Sequence, residues 1–121
     1  MKQINIVNAY MTTTELARSK NLTISGKWAL YSVRKNLLSQ YEFYVEESKN
    51  LYSQYKIERN ENTLLFESPK LAAEYQTKQQ EIDNFEVDTN VDKITCKLSD
   101  IPDITVEQIE RLENFIEFMP E

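Results

Sequence analysis

The sequence predicts a predominantly helical α+β fold in a single domain spanning residues 1–121, on three observations. Only one glycine and three prolines interrupt 121 residues, which leaves few places to turn and favours long helices. Between Trp28 and Tyr55 apolar residues recur at three-four spacing with no Gly or Pro, the pattern of a long amphipathic helix. Thr63–Phe66 reads as a short strand after a turn, and Phe85–Val91 and Ile94–Leu98 alternate with period two, as half-buried strands do. The expected architecture is an N-terminal helical hairpin with one long helix, a small sheet of two or three short strands, and two shorter amphipathic helices.

The elements follow in order. "QINIV" places Ile4 and Ile6 on one face of a short strand. "TTTELARSK" is a short helix, with Thr12 and Glu15 at capping-box spacing and Asn21 available to end it. Ser25 can cap the long helix, which runs to about Ile57. Leu30 and Tyr31, Leu37 and Leu38, Tyr41, Tyr44 and Val45, Leu51 and Tyr52, and Tyr55 form its broad packing face. Ser48 continues that face at a point where a partner helix can come close, and tyrosine suits a half-wet seam because its ring is apolar and its hydroxyl can reach water.

"RNENTLLFE" is a turn followed by a strand at Thr63–Phe66. Ser68 caps a third helix with Pro69 at its first position, where the missing N–H costs nothing. Leu71, Tyr75, Lys78 and Ile82 mark the inner edge of that helix. Phe85, Val87, Thr89 and Val91 then alternate, and Ile94, Cys96 and Leu98 alternate on the opposite parity, so a break belongs at Asp92-Lys93. "DIPDI" is a bend. Thr105 and Gln108 form a second capping box, and the last helix runs to about Met119 with Ile109, Leu112, Ile116 and Met119 buried.

Composition excludes more functions than it suggests. The chain has no histidine, hence neither the usual general base nor the commonest metal ligand. One glycine cannot build a phosphate-cradling loop. A lone cysteine, Cys96, rules out an internal disulfide and a cysteine-rich zinc site, and its alternation with Ile94 and Leu98 places it in the core. The expectation is therefore a protein that is not an enzyme and has no cofactor. With no apolar N-terminal run and no stretch approaching about 20 apolar residues, it is expected to be cytoplasmic and without a membrane partner.

Charge is unevenly distributed. The net charge is −6, yet residues 1–40 hold six Lys/Arg and one acid (+5), while residues 41–121 hold eight Lys/Arg and nineteen acids (−11). Either the halves fold together and partly neutralise, or the asymmetry marks a binding surface. Glu110, Glu113, Glu117 and Glu121 fall along one side of the expected last helix. Such a stripe is either a solvated face or a surface that offers carboxylates to a protein partner with a basic surface, imitating nucleic-acid phosphates. Trp28 is a candidate interface anchor. The long helix itself is a candidate surface for a homo-oligomer.

Three weaker patterns have bland alternatives. "ELARSKNLTISGKWALYSVRK" has the rhythm of a helix-turn-helix, with Ala17 at the packing point, Asn21 at the turn, and Lys20, Lys27, Arg34 and Lys35 for phosphate contacts. Lys27 falls where such a motif wants an apolar residue and the second helix is far too long, so an ordinary helical hairpin is preferred and nucleic acid is not the expected partner. Asp83, Glu86, Asp88 and Asp92 could hold a hard cation, but no glycine-turned loop supports a site and no metal is expected. "ESK" at Glu47–Lys49 echoes a nuclease motif in mid-helix with no matching aspartate upstream on a strand.

"INIVNAY", "RKNLLSQYEFYVEESKNLYSQY" and "IPDITVEQIERLENFI", in that order, resemble a family of small uncharacterised proteins of tailed phages and prophages of Gram-positive bacteria. The resemblance spans most of the chain and implies a setting, the infected bacterial cytoplasm, with no catalytic residues to carry over. In that setting the first expectation is a binding protein that engages a host or phage protein, including inhibition of a host defence nuclease in the manner of an anti-CRISPR. A virion-assembly or structural accessory protein comes next, then a helix-turn-helix-like DNA-binding regulator, and a metal-dependent enzyme last.

Overall fold

The computed structural model describes residues 1–55, 58–60, 63–89 and 92–120, with backbone alone at 58–60 and 63–65. It is predominantly helical, with α1 (Gln3–Leu16), α2 (Ile24–Gln54), α3 (Pro69–Asn84) and α4 (Val106–Leu112). Strands β1 (Glu58–Asn60) and β2 (Thr63–Leu65) form an antiparallel hairpin, and β3 (Ile94–Lys97) pairs in parallel with β4 (Ile116–Met119). The expected α+β class, with a helical hairpin and one long helix, describes this chain. Ile57, Val91 and Glu121, assigned above to a helix, a strand and a stripe, lie outside the described residues.

The first departure is α1, a single 14-residue helix that takes in the expected "QINIV" strand and, of the expected "TTTELARSK" helix, only Thr12–Leu16. Its buried residues are Gln3, Ile6, Val7, Ala9, Thr12, Thr13 and Leu16. Three of them are polar, so the helical stripe is invisible to a hydrophobicity pattern. Each is satisfied locally or across the core. Thr12 Oγ1 donates to the Asn8 carbonyl at 2.7 Å, and Thr13 Oγ1 to the Tyr10 carbonyl at 2.6 Å. Gln3 Nε2 donates to the Ile82 carbonyl at 2.9 Å. Such bonds let polar side chains sit in a core without an unpaired group. Thr12 is consequently no cap, and Asn21 lies beyond the helix end.

Thr23, not Ser25, caps α2: its hydroxyl accepts from the Gly26 N–H at 3.1 Å. Gly26 is there because of a close approach. A methyl at this position would overlap the backbone carbonyl of Asp100. α1 and the N-terminal half of α2 form the hairpin, and α3 returns antiparallel along the C-terminal half of α2. The pairs Tyr55–Tyr75, Ser48–Gln79 and Tyr44–Asp83 follow that order. Ser48 thus sits at the close helix–helix seam, as its place in the stripe suggests. α3 begins with Ser68 as cap and Pro69 in the first turn. Leu71, Tyr75 and Ile82 are partly buried, but Lys78 is exposed and Gln79 takes its inner position.

The second departure lies at Phe85–Thr89. Instead of a strand there is one isolated antiparallel bridge, Lys2–Glu86, with Val87 N–H donating to the Met1 carbonyl at 2.8 Å. The third is at the C-terminus. α4 opens with the expected Thr105–Gln108 capping box but stops at Leu112, and Ile116–Met119 is strand β4. Asn114 and Phe115 turn the chain: Phe115 N–H donates to the Leu112 carbonyl at 2.9 Å, and the Phe115 carbonyl accepts from Ile94 N–H at 3.0 Å. Pairing with β3 supplies backbone partners that one more helical turn could not combine with burying Phe115 and Ile116.

The core joins these pieces. Ile6, Ala9, Leu16, Ala29, Leu30, Val33, Leu37, Cys96, Ile101, Leu112, Phe115 and Ile116 form one cluster. Among the described residues no helix is long and apolar enough to cross a membrane.

Gly26→Ala tests the close approach. In an open helix, alanine is favoured over glycine by about 1 kcal/mol. Here the added carbon meets backbone rather than a flexible side-chain tip, and overpacking of that kind costs about 1–3 kcal/mol. The expected net outcome is a lower denaturant midpoint for Gly26→Ala at unchanged m-value. A raised midpoint would show that the two segments can separate freely.

Candidate functional site

Two surfaces hold the residues singled out in the sequence, and they lie on different elements. The acidic candidates do not form one helical stripe, because the helix ends before Glu113. Glu110 is on α4, Glu113 follows its last residue, and Glu117 is on β4 opposite Thr95; all three are exposed. Glu110 lines an open groove of about 580 Å³ with Asn5, Asn8, Glu107, Arg111 and Asn114, between α1 and α4. Glu113 and Glu117 lie outside the groove lining.

Among the described residues no Lys or Arg side chain lies within ion-pair distance of a carboxylate, and the one ion pair joins the Met1 ammonium to Glu86 at 2.9 Å.

The second surface is the outer side of α2. The doublets Leu30–Tyr31, Leu37–Leu38 and Tyr44–Val45 each split between two faces, whereas Leu51 is buried and Tyr52 partly buried. Leu30, Leu37 and Leu51 turn inward and are at most 6% exposed, whereas Tyr31, Leu38 and Val45 turn outward at 54%, 41% and 40%. The sequence reading assigned both members of each doublet to packing; it fails for Tyr31, Leu38 and Val45, while Tyr44 and Tyr52 are partly buried. Ile24 and Trp28 extend the outward set at 79% and 64% exposure. The Trp28 and Tyr31 rings are tilted with centroids 6.0 Å apart. Lys27 is exposed nearby. Arg34 is partly buried at the edge of the surface, its guanidinium 5.7 Å from the Tyr10 ring centroid, and Tyr10 stacks on Tyr41 at 4.1 Å. Cation–π contact of this type holds an arginine without a carboxylate partner.

The remaining candidates are occupied with structure. Asp83 accepts from the Tyr44 hydroxyl at 2.8 Å and from Gln79 Nε2 at 3.1 Å, and Glu86 holds the Met1 ammonium. Asp88 and Asp92 are exposed. No group of three or more Cys, Asp or Glu among the described residues is placed to hold a metal. Cys96 is buried, and burial pushes its thiol up from the ordinary value, away from the thiolate a nucleophile requires. Glu47–Lys49 lies within α2. The helix-turn-helix rhythm has no structural counterpart, since Ala17 is exposed rather than packed and α2 runs for 31 residues.

No protein-family model matches the chain, and neither the curated proteins nor the solved structures yield a significant match.

The Tyr44–Asp83 pair gives the α2–α3 seam a pH dependence. Burial first, then the hydrogen bond to Asp83 and its charge, push Tyr44 up to about 12. Burial also raises Tyr75, followed by Tyr52 and Asp83. An unfolded tyrosine ionises near 10. Between the two values the unfolded chain has released a proton that the folded chain retains, so stability is complete below pH 10 and falls as pH rises toward 12. The denaturant midpoint should therefore drop more steeply from pH 10 to 12 in the wild type than in Tyr44→Phe. Equal slopes would mean that Tyr44 is in contact with solvent.

Proposed function

We propose that this chain is a non-enzymatic, phage-encoded binding protein. It engages a protein with a basic surface in the bacterial cytoplasm, and inhibition of a host defence nuclease, as by an anti-CRISPR, is the form this engagement takes. The observation that carries the reading is the exposure of Glu110, Glu113 and Glu117, with no cationic side chain within ion-pair distance of them among the described residues. Complementary charge steers encounter and suppresses wrong partners. The phage setting rests on the resemblance of the three sequence stretches. A second reading, a virion-assembly accessory protein that works by oligomerising, draws on the outward apolar residues of α2.

Tagged wild type and the Glu113→Lys/Glu117→Lys variant, incubated with host cytosol, separate these readings. A basic protein captured by the wild type should be held about tenfold or more weakly by the variant, and capture should fall with salt. Equal capture by both chains would remove the acidic face from the function, and enrichment of head or tail proteins would favour the assembly reading. Duplex DNA is the counter-test. Salt-sensitive binding by the wild type that is lost in Lys27→Glu/Arg34→Glu would make the protein a DNA-binding regulator. Nuclease, phosphatase and peptidase assays with Mg²⁺ or Mn²⁺ are expected to show no turnover.

A further inference from the structure

The outward face of α2 has a register of its own. Ile24, Trp28, Tyr31, Lys35, Leu38, Glu42, Val45 and Lys49 are spaced alternately four and three residues apart, and every one of them is exposed. This is a heptad seam with a mean spacing of 3.5 residues, the period at which two helices keep one side in mutual contact. It lies on the far side of α2 from Leu30, Val33 and Leu37, which are at most 2% exposed. The packing of α1, α3 and β3 on the inner side leaves it open. Scattered surface apolar residues need no explanation, but an aligned row with Trp28 and Ile24 more than 60% exposed does.

We propose that this seam pairs with the same seam of a second copy of the chain, the two α2 helices running antiparallel about a two-fold axis near Leu38. Charge selects both the occupant and the direction. The seam interrupts its apolar residues with Lys35, Glu42 and Lys49. Side by side in parallel, each of these would face its own like charge. Antiparallel pairing about Leu38 brings Lys35 alongside Glu42 of the second copy. By symmetry Glu42 meets Lys35 of the second copy, so the pair forms twice. It sets Leu38 beside Leu38 of the second copy, and carries Trp28 toward Val45 and Lys49 of the second copy. There an aromatic face meets an aliphatic side chain and a cation. The seam spans most of a 31-residue helix, a length of about 46 Å. The acidic face on α4 and β4 takes no part, so this inference stands independently of the reading that rests on Glu110, Glu113 and Glu117.

Sedimentation equilibrium of the whole chain provides the test. The expected wild-type mass is twice the 14.3 kDa of one chain. Leu38→Glu, and separately Trp28→Ala/Tyr31→Ala, should sediment as monomers with unchanged far-UV circular dichroism, because these side chains are outside the core. Lys35→Glu should raise the dissociation constant about tenfold or more by setting two acids together at each pair. Lys35→Glu/Glu42→Lys should bring it back, since antiparallel pairing restores both unlike pairs and parallel pairing restores none. Glu113→Lys/Glu117→Lys should dimerise as the wild type does. A wild type that stays monomeric at every accessible concentration overturns the proposal, as does a dimer that survives Leu38→Glu. A double variant no tighter than Lys35→Glu overturns the antiparallel register.

Discussion

Asp100 holds the two halves of this molecule together. Its carbonyl accepts from Thr23 N–H at 3.2 Å, and its carboxylate accepts from the Thr23 hydroxyl at 2.7 Å and from Lys97 N–H at 3.3 Å. The same Thr23 hydroxyl accepts from Gly26 N–H, so one side chain both starts α2 and ties it to the C-terminal segment. The missing side chain of Gly26 makes room for this contact. Next to it Ile101 is fully buried. A second tether follows at Asp103, which accepts from Ser19 Oγ and from Asn21 Nδ2, hydrogen bonds that hold its carboxyl below the ordinary aspartate value. With α2 docked this way, β3, α4 and β4 can bury Leu112, Phe115 and Ile116 against the helical hairpin.

The long helix serves three neighbours at once. Its N-terminal half supplies Ala29, Leu30, Val33 and Leu37 to the core. Its C-terminal half meets α3 through the hydrogen-bonded group of Tyr44, Ser48, Gln79 and Asp83, beside the Tyr55–Tyr75 ring contact. A polar seam is less forgiving than an oily one, because sliding α3 by one turn would leave Asp83 and Tyr44 without partners. Along its outer side, α2 keeps aromatic and aliphatic residues in solvent. There the apolar side chains stand among the exposed charges of Lys35, Glu42 and Lys49.

Much of this was legible in the sequence where local chemistry acts alone. Ser68 with Pro69, and Thr105 with Gln108, mark helix starts through bonds closed within four residues, and both appear where the spacing places them. The extent of α2 was legible because nothing breaks it, and Cys96 was legible as core. α1 was not, since Gln3, Thr12 and Thr13 are buried polar residues whose partners are in their own helix or on Ile82. The end of α4 was not, because Ile109, Leu112, Ile116 and Met119 keep helical spacing while the backbone of Ile116–Met119 pairs with a strand distant in sequence. Among the candidate site residues, the exposure of Glu110, Glu113 and Glu117 was foreseen, but not their division between helix, helix end and strand. The outward face of α2 was hidden inside doublets such as Leu37–Leu38, in which a single apolar pair serves two faces 100° apart.

One consequence concerns light. The chain's only tryptophan, Trp28, lies outside the core on the free side of α2. Its indole already meets water in the folded monomer, so its emission is a poor gauge of whether the chain is folded. What that emission does register is whether the outer face of α2 is covered. The protein thus carries a built-in optical probe at one surface, while the tyrosines other than Tyr31, which shares that surface, keep the record of helix packing.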